Sequence, residues 1–155
     1  MRNQAESSMR LKASRGFTLI EMMIVVLVVS ILAGLAYYNY GRYAMRARRA
    51  DGKELLARVA AAQERYYTNF NQYATAITGA PPGLNFTSLL SEKGYYTIST
   101  ANGPTGNTQS YTLTATPVPG KPQAKDVCGA LTLNSQNGKT PLPGAMPQNS
   151  NGSCW

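Results

Sequence analysis

The chain has 155 residues, a formal net charge of +8, no histidine and two cysteines, Cys128 and Cys154. That length accommodates one compact head plus one apolar segment. The missing histidines remove the commonest imidazole acid/base and zinc-ligand sets, so the chain reads as non-enzymatic, with no cofactor and no metal.

The first sixteen residues carry Arg2, Arg10, Lys12 and Arg15 against Glu6, a net +3. Residues 17–38, FTLIEMMIVVLVVSILAGLAYY, follow with Glu21 as their one charge. As a helix this run reaches about 33 Å at 1.5 Å per residue, enough to cross a bilayer. A secretory signal peptide would place its cleavage site after the apolar core, whereas the candidate processing signal here, Arg15-Gly16-Phe17, precedes it. The positive flank keeps the N-terminal side in the cytoplasm and sends the remainder outward.

From Tyr40 to Phe70 there is no proline, only Gly41 and Gly52 interrupt, and helix formers dominate, which predicts one long helix from about Phe17 to about Phe70. Leu56, Val59, Ala60, Gln63, Tyr67 and Phe70 recur at three- and four-residue steps, a stripe suited to packing on a head domain. Arg42, Arg46, Arg48, Arg49, Lys53, Arg58 and Arg65 crowd the same segment. A basic block beside an apolar span predicts contact with lipid headgroups or acidic neighbours, with nucleic acid as the sharper alternative. Tyr37, Tyr38, Tyr40 and Tyr43 read as an interfacial aromatic belt, and Tyr66, Tyr67 and Tyr73 as residues packed under a sheet.

Residues 71–94, with Pro81, Pro82, Gly79 and Gly83, predict a connecting loop. Strands are expected at 95–100, 110–116 and 130–135, each β-rich and alternating, with Asn-Gly, Pro-Gly and Lys-Pro separators that favour an antiparallel meander. The tail 136–155, rich in Asn, Gly and Pro, predicts irregular structure.

The stretch Arg15-Gly16-Phe17-Thr18-Leu19-Ile20-Glu21-Met22-Met23-Ile24-Val25-Val26 resembles the prepilin signature of type IV pilins and their relatives. The resemblance implies an α+β fold: a long N-terminal helix, transmembrane in its first half, packed on a small antiparallel sheet. It implies a leader, residues 1–16, removed after Gly16 by a membrane aspartyl peptidase that methylates the amine of Phe17. It divides the mature chain into an assembly helix (17–40), an amphipathic half-helix (41–70) and a head (71–155). Partners implied are other pilin subunits, the prepilin peptidase and the inner membrane before assembly, in a Gram-negative bacterium that displays the product on a surface pilus. The Tyr-rich helix, the LTAT strand and Cys128-Gly-Ala-Leu-Thr-Leu look narrower still, similar to PilE-type (type IVa) minor pilins in motility, adhesion or DNA uptake. Rival readings are a type II secretion pseudopilin and a DNA-binding receptor that clusters Lys93, Lys121, Lys125 and Lys139 on one face.

An isolated carboxylate in an apolar helix costs at least roughly 2.5 kcal/mol, so Glu21 needs a partner. The resemblance implies the amine of Phe17 on a neighbouring subunit. Ser30 and Tyr38 stand where many pilins have glycine and a kinking proline, a departure from the pattern behind the family's usual kink and melting. Cys128 and Cys154 would face an oxidising compartment, and a bridge closing loop 128–154 would contribute about 3–4 kcal/mol.

Overall fold

The computed structural model describes residues 16–103, 105, 107–148, 150 and 152–155, with the side chains of Tyr38, Asn39 and Asn107 outside that description. The chain divides into two units at the boundary between Tyr37 and Tyr38. Helix α1 spans Leu19–Phe70. It starts where Thr18 can cap it: Thr18 Oγ1 accepts the Glu21 N–H at 3.3 Å, the first half of a Thr-x-x-Glu capping pattern. It stops at Asn71, whose φ of 52° is left-handed and whose N–H still donates to the Tyr67 carbonyl at 2.8 Å. Ser30 does not interrupt the helix, because its hydroxyl donates to the Val26 carbonyl at 2.7 Å and is satisfied one turn back.

In the first unit the side chains of α1 are exposed throughout, including Ile20, Ile24 and Leu32. The stretch is long and apolar enough to cross a membrane. In the second unit α1 contributes Leu55, Leu56 and Val59 to a core that also holds Ile77, Tyr96, Ile98, Tyr111, Leu113, Ala115 and Leu131. The predicted stripe is correct in its centre and wrong at its end. Leu56, Val59 and Gln63 are buried, but the face turns through Ala62 and Tyr66, leaving Tyr67 half-buried and Phe70 exposed. That drift is what 3.6 residues per turn produces over several turns. Gly52 is no weak point, since the Tyr96 ring packs where a Cβ would project, at 2.9 Å.

The sheet of the head is antiparallel, with β3 (Tyr96–Asn102), β4 (Tyr111–Pro117), β5 (Leu131–Asn134) and β6 (Lys139–Thr140) in sequential order. Register runs Tyr96↔Pro117 to Asn102↔Tyr111, then Thr112↔Asn134 to Ala115↔Leu131. Alternation sends Tyr96, Ile98, Tyr111, Leu113, Ala115 and Leu131 to the helix side. The three predicted strands are present within one or two residues of their expected ends.

Two expectations need correction. The segment 71–94 is not only a loop: β1 (Ala76–Thr78) and β2 (Gly83–Phe86) pair in parallel. Gly83 permits this, because a Cβ there would collide with the carbonyl oxygens of Thr78 and Gly79. The tail is not wholly irregular either, since β6 pairs with β5 through Thr132↔Thr140 and Leu133↔Lys139.

Candidate functional site

Three places on the chain carry features beyond core packing. The first is the start of α1. Gly16 and Phe17 precede the helix outside any regular element, both exposed, with Phe17 80% accessible. Glu21 is exposed, and among the described residues its side chain has no ion-pair partner. Residues 1–15, with the basic leader charges, lie outside the described residues. Tyr37, Tyr40 and Tyr43 are all strongly exposed.

The second place is the C-terminal loop. Cys128 and Cys154 are joined by a disulfide with 5.7 Å between their Cα atoms. Beside it lies a buried ion pair absent from the sequence reading. Arg49, 1% exposed, donates from Nε to Asp126 Oδ2 and from Nη2 to Asp126 Oδ1, each at 2.7 Å. Its Nη2 also donates to the Ser150 carbonyl at 2.7 Å, and its Nη1 to the Ser153 carbonyl at 3.3 Å. Asp126 accepts further bonds from Gln123 Nε2 and the Cys128 N–H. One guanidinium from α1 thereby holds both ends of the disulfide loop, a bidentate geometry available to arginine and not to lysine. The sequence signal was Asp126 itself, the only acidic residue after Glu92 and two positions before Cys128. Gln123 Nε2 reaches the Tyr96 hydroxyl at 2.9 Å, and burial is the main reason the Tyr96 hydroxyl is pushed up to about 12.

The third place is basic. Lys93, Lys121 and Lys125 are exposed and Lys139 is half-buried. Lys139 meets Lys53 of α1 at Trp155: their ammonium groups lie 5.3 Å and 5.8 Å from the indole centroid. Trp155 was not among the residues singled out from sequence. A separate aromatic cluster joins Tyr67, Tyr73 and Tyr111, with ring centroids 4.7 and 4.8 Å apart. The Tyr73 and Tyr111 hydroxyls donate to Glu64, and burial followed by the Glu64 charge raises both phenols above their ordinary range. Among the described residues no group of His, Cys, Asp and Glu is arranged to hold a metal ion.

Residues 39–132 match the family described as "Type IV minor pilin ComP, DNA uptake sequence receptor", and residues 11–37 match the prokaryotic N-terminal methylation motif. The chain is 36% identical over 61 residues to the type IV major pilin protein PilA of Myxococcus xanthus, covering 39% of this chain and 28% of that protein. It is 34% identical over 89 residues to a fimbrial protein of Neisseria meningitidis serogroup B, covering 57% of this chain and 51% of the relative. A type II secretion system protein H of Pseudomonas aeruginosa is 46% identical over 43 residues, 28% of this chain and 24% of its own. A solved type IV pilin from Shewanella oneidensis aligns over 63% of this chain and 91% of its own, with TM-score 0.46 and 25% identity. The chain spans about half or less of the length of these curated relatives. With the family match extending over more than half of its residues, this chain belongs to the ComP-type family of type IV minor pilins.

Proposed function

We propose that the chain is a non-catalytic subunit of a type IV pilus, made as an inner-membrane precursor in a Gram-negative bacterium and incorporated as a minor pilin into a surface filament. The observation that carries this reading is the start of α1: an exposed Gly16-Phe17 junction, a lone Glu21 carboxylate and a continuous exposed apolar surface. A prepilin peptidase cleaves after Gly16 and methylates Phe17, and residues 17–40 anchor the product in the membrane. Glu21 then pairs with the Phe17 amine of a neighbouring subunit. Two groups without water compensate each other in that contact and fix the axial register. Residues 41–70 and the head 71–155, with its loop 128–154, are carried outside. The similarity to a secretion pseudopilin covers only 43 residues, whereas the minor-pilin match covers residues 39–132, which favours the pilus over the secretion piston.

A second reading is supported by the family's description as a DNA uptake sequence receptor. After Tyr37 the chain holds eleven Lys and Arg against five Asp and Glu, a net +6, so its field attracts polyanions. In this reading the subunit displays a nucleic-acid contact on the filament.

Mass spectrometry of sheared surface filaments tests the main reading. A peptide beginning at N-methylated Phe17 is expected in the filament fraction, at low abundance relative to a major subunit. A chain confined to the membrane fraction, or one retaining residues 1–16 in filaments, would refute it.

A further inference from the structure

We infer that Lys53 and Lys139, gathered around Trp155, and Arg46 beside Gly152 form a contact for the phosphodiester backbone of nucleic acid, with the indole as its fixed floor. The inference rests on the receptor reading, which names no residue, and gives that reading a place on the head.

Two ammonium groups from distant parts of the chain converge on one ring. Lys53 comes from α1 and Lys139 from β6, and both lie within 6 Å of the Trp155 centroid. The ring does not drift, because its Nε1–H donates to the Thr140 carbonyl at 2.9 Å and it packs against the core cluster. Arg46 is placed by the neighbouring loop. Its guanidinium lies 3.1 Å from where a Cβ at position 152 would stand, so Gly152, with φ of 112°, leaves room for it. The same loop is held by Arg49 through Ser150 and Ser153.

Among the described residues these cations have no ion-pair partner: neither Arg46, Lys53 nor Lys139 has a carboxylate within 4 Å, and the one acidic side chain after Glu92, Asp126, is taken by Arg49. The result is like charge brought together without relief: Lys53 is held below the ordinary lysine range by burial first, then by Arg49, Arg46 and Lys139. An external polyanion relieves that repulsion, and it binds without first displacing an internal partner.

The aromatic ring favours nucleic acid over an acidic protein as the source of those charges. An ammonium over the open face of a half-buried indole is weakly held and free to move onto a phosphate oxygen. The indole then meets the sugar or base beside that phosphate, the pairing of cations and aromatic faces by which nucleic-acid sites track a backbone. An acidic peptide satisfies the lysines but gives the ring nothing comparable.

Trp155 is the only tryptophan in the chain, so its emission reports on this place alone. The full chain in detergent micelles is titrated with a labelled duplex oligonucleotide at several salt concentrations, following label anisotropy and indole emission together. The expected result is a change in emission with the same midpoint as the anisotropy. The variant Lys53→Gln/Lys139→Gln should lower affinity at least tenfold at low salt and reduce the slope of log affinity against log salt by about 2, near one per lost phosphate contact. Lys53→Arg/Lys139→Arg should restore binding, which separates lost charge from damaged folding. If DNA binds while emission is unmoved and the glutamine variant keeps wild-type affinity and slope, the contact lies elsewhere and only this inference fails. If the wild-type chain binds no DNA even at low salt, the receptor reading fails with it. Polyglutamate producing the same emission change and the same variant sensitivity would reassign the patch to an acidic protein and overturn the proposal.

Discussion

Arg49→Met keeps an unbranched apolar stem of similar reach but removes four hydrogen bonds, two to Asp126 and one each to the carbonyls of Ser150 and Ser153. It leaves the Asp126 carboxylate, 1% exposed, without its counter-charge. Breaking a buried pair by deleting one partner typically costs about 3–5 kcal/mol. The lower end applies here because Gln123 and the Cys128 N–H still donate to the carboxylate. A loss of about 3 kcal/mol lowers the melting temperature of a head this size by roughly 12 °C. The measurement is a thermal melt of the full chain in micelles, followed by Trp155 emission and near-ultraviolet circular dichroism with the disulfide verified intact. The sign of a second change discriminates the cause. Arg49→Met/Asp126→Asn removes the stranded charge while keeping an acceptor for the Cys128 N–H, and should regain about 1–2 kcal/mol over the single variant. A single variant melting within 3 °C of wild type, on the order of 1 kcal/mol, would refute the reasoning, as would a double variant no more stable than the single one.

Glu21→Ala should leave cleavage after Gly16 and membrane insertion largely intact while blocking or slowing entry into filaments; immunoblots of membrane and sheared-filament pools check this, and equal incorporation would remove the charge-pairing account. Replacing Cys128 and Cys154 with serine should cost about 3.5 kcal/mol for a bridge spanning 26 positions. Hydrogen exchange should nevertheless show residues 136–155 still attached through Arg49, and release of the whole tail would contradict that. Because the Tyr96 hydroxyl is raised to about 12, mainly by burial, its contribution to stability is present in full below pH 10 and lost as pH rises through about 12. Tyr96→Phe should therefore flatten the alkaline decline in chemical-denaturation midpoints, and an unchanged decline would assign it to other groups.

The long helix and the three main strands were legible because their causes are local. An unbroken apolar run, a stretch of helix formers and two-residue alternation act over a few positions, and the folded chain keeps them. The N-terminal methylation motif matched over residues 11–37 was legible for the same reason. The parallel pairing of β1 with β2 was not, since it depends on a close backbone approach that Gly83 allows but does not announce. Gln63 read as one more member of an apolar stripe, yet its buried amide both donates to the Ala74 carbonyl and accepts the Ala74 N–H.

By itself the sequence determined an anchor-like helix, a basic segment beyond it, an α+β head and two cysteines in its C-terminal part. It did not assign roles within the basic segment, where Arg46, Arg49 and Lys53 lie on neighbouring turns with similar composition around them. Tertiary structure made that assignment. Arg49 is carried to Asp126, 77 positions away, and becomes an internal clamp, while Lys53 is carried to Trp155 and Lys139 and has no ion-pair partner among the described residues. The physical reason is that a charge takes its role from what the fold brings within a few ångströms of it, and such distances between remote residues exist only once helix, sheet and disulfide loop have packed.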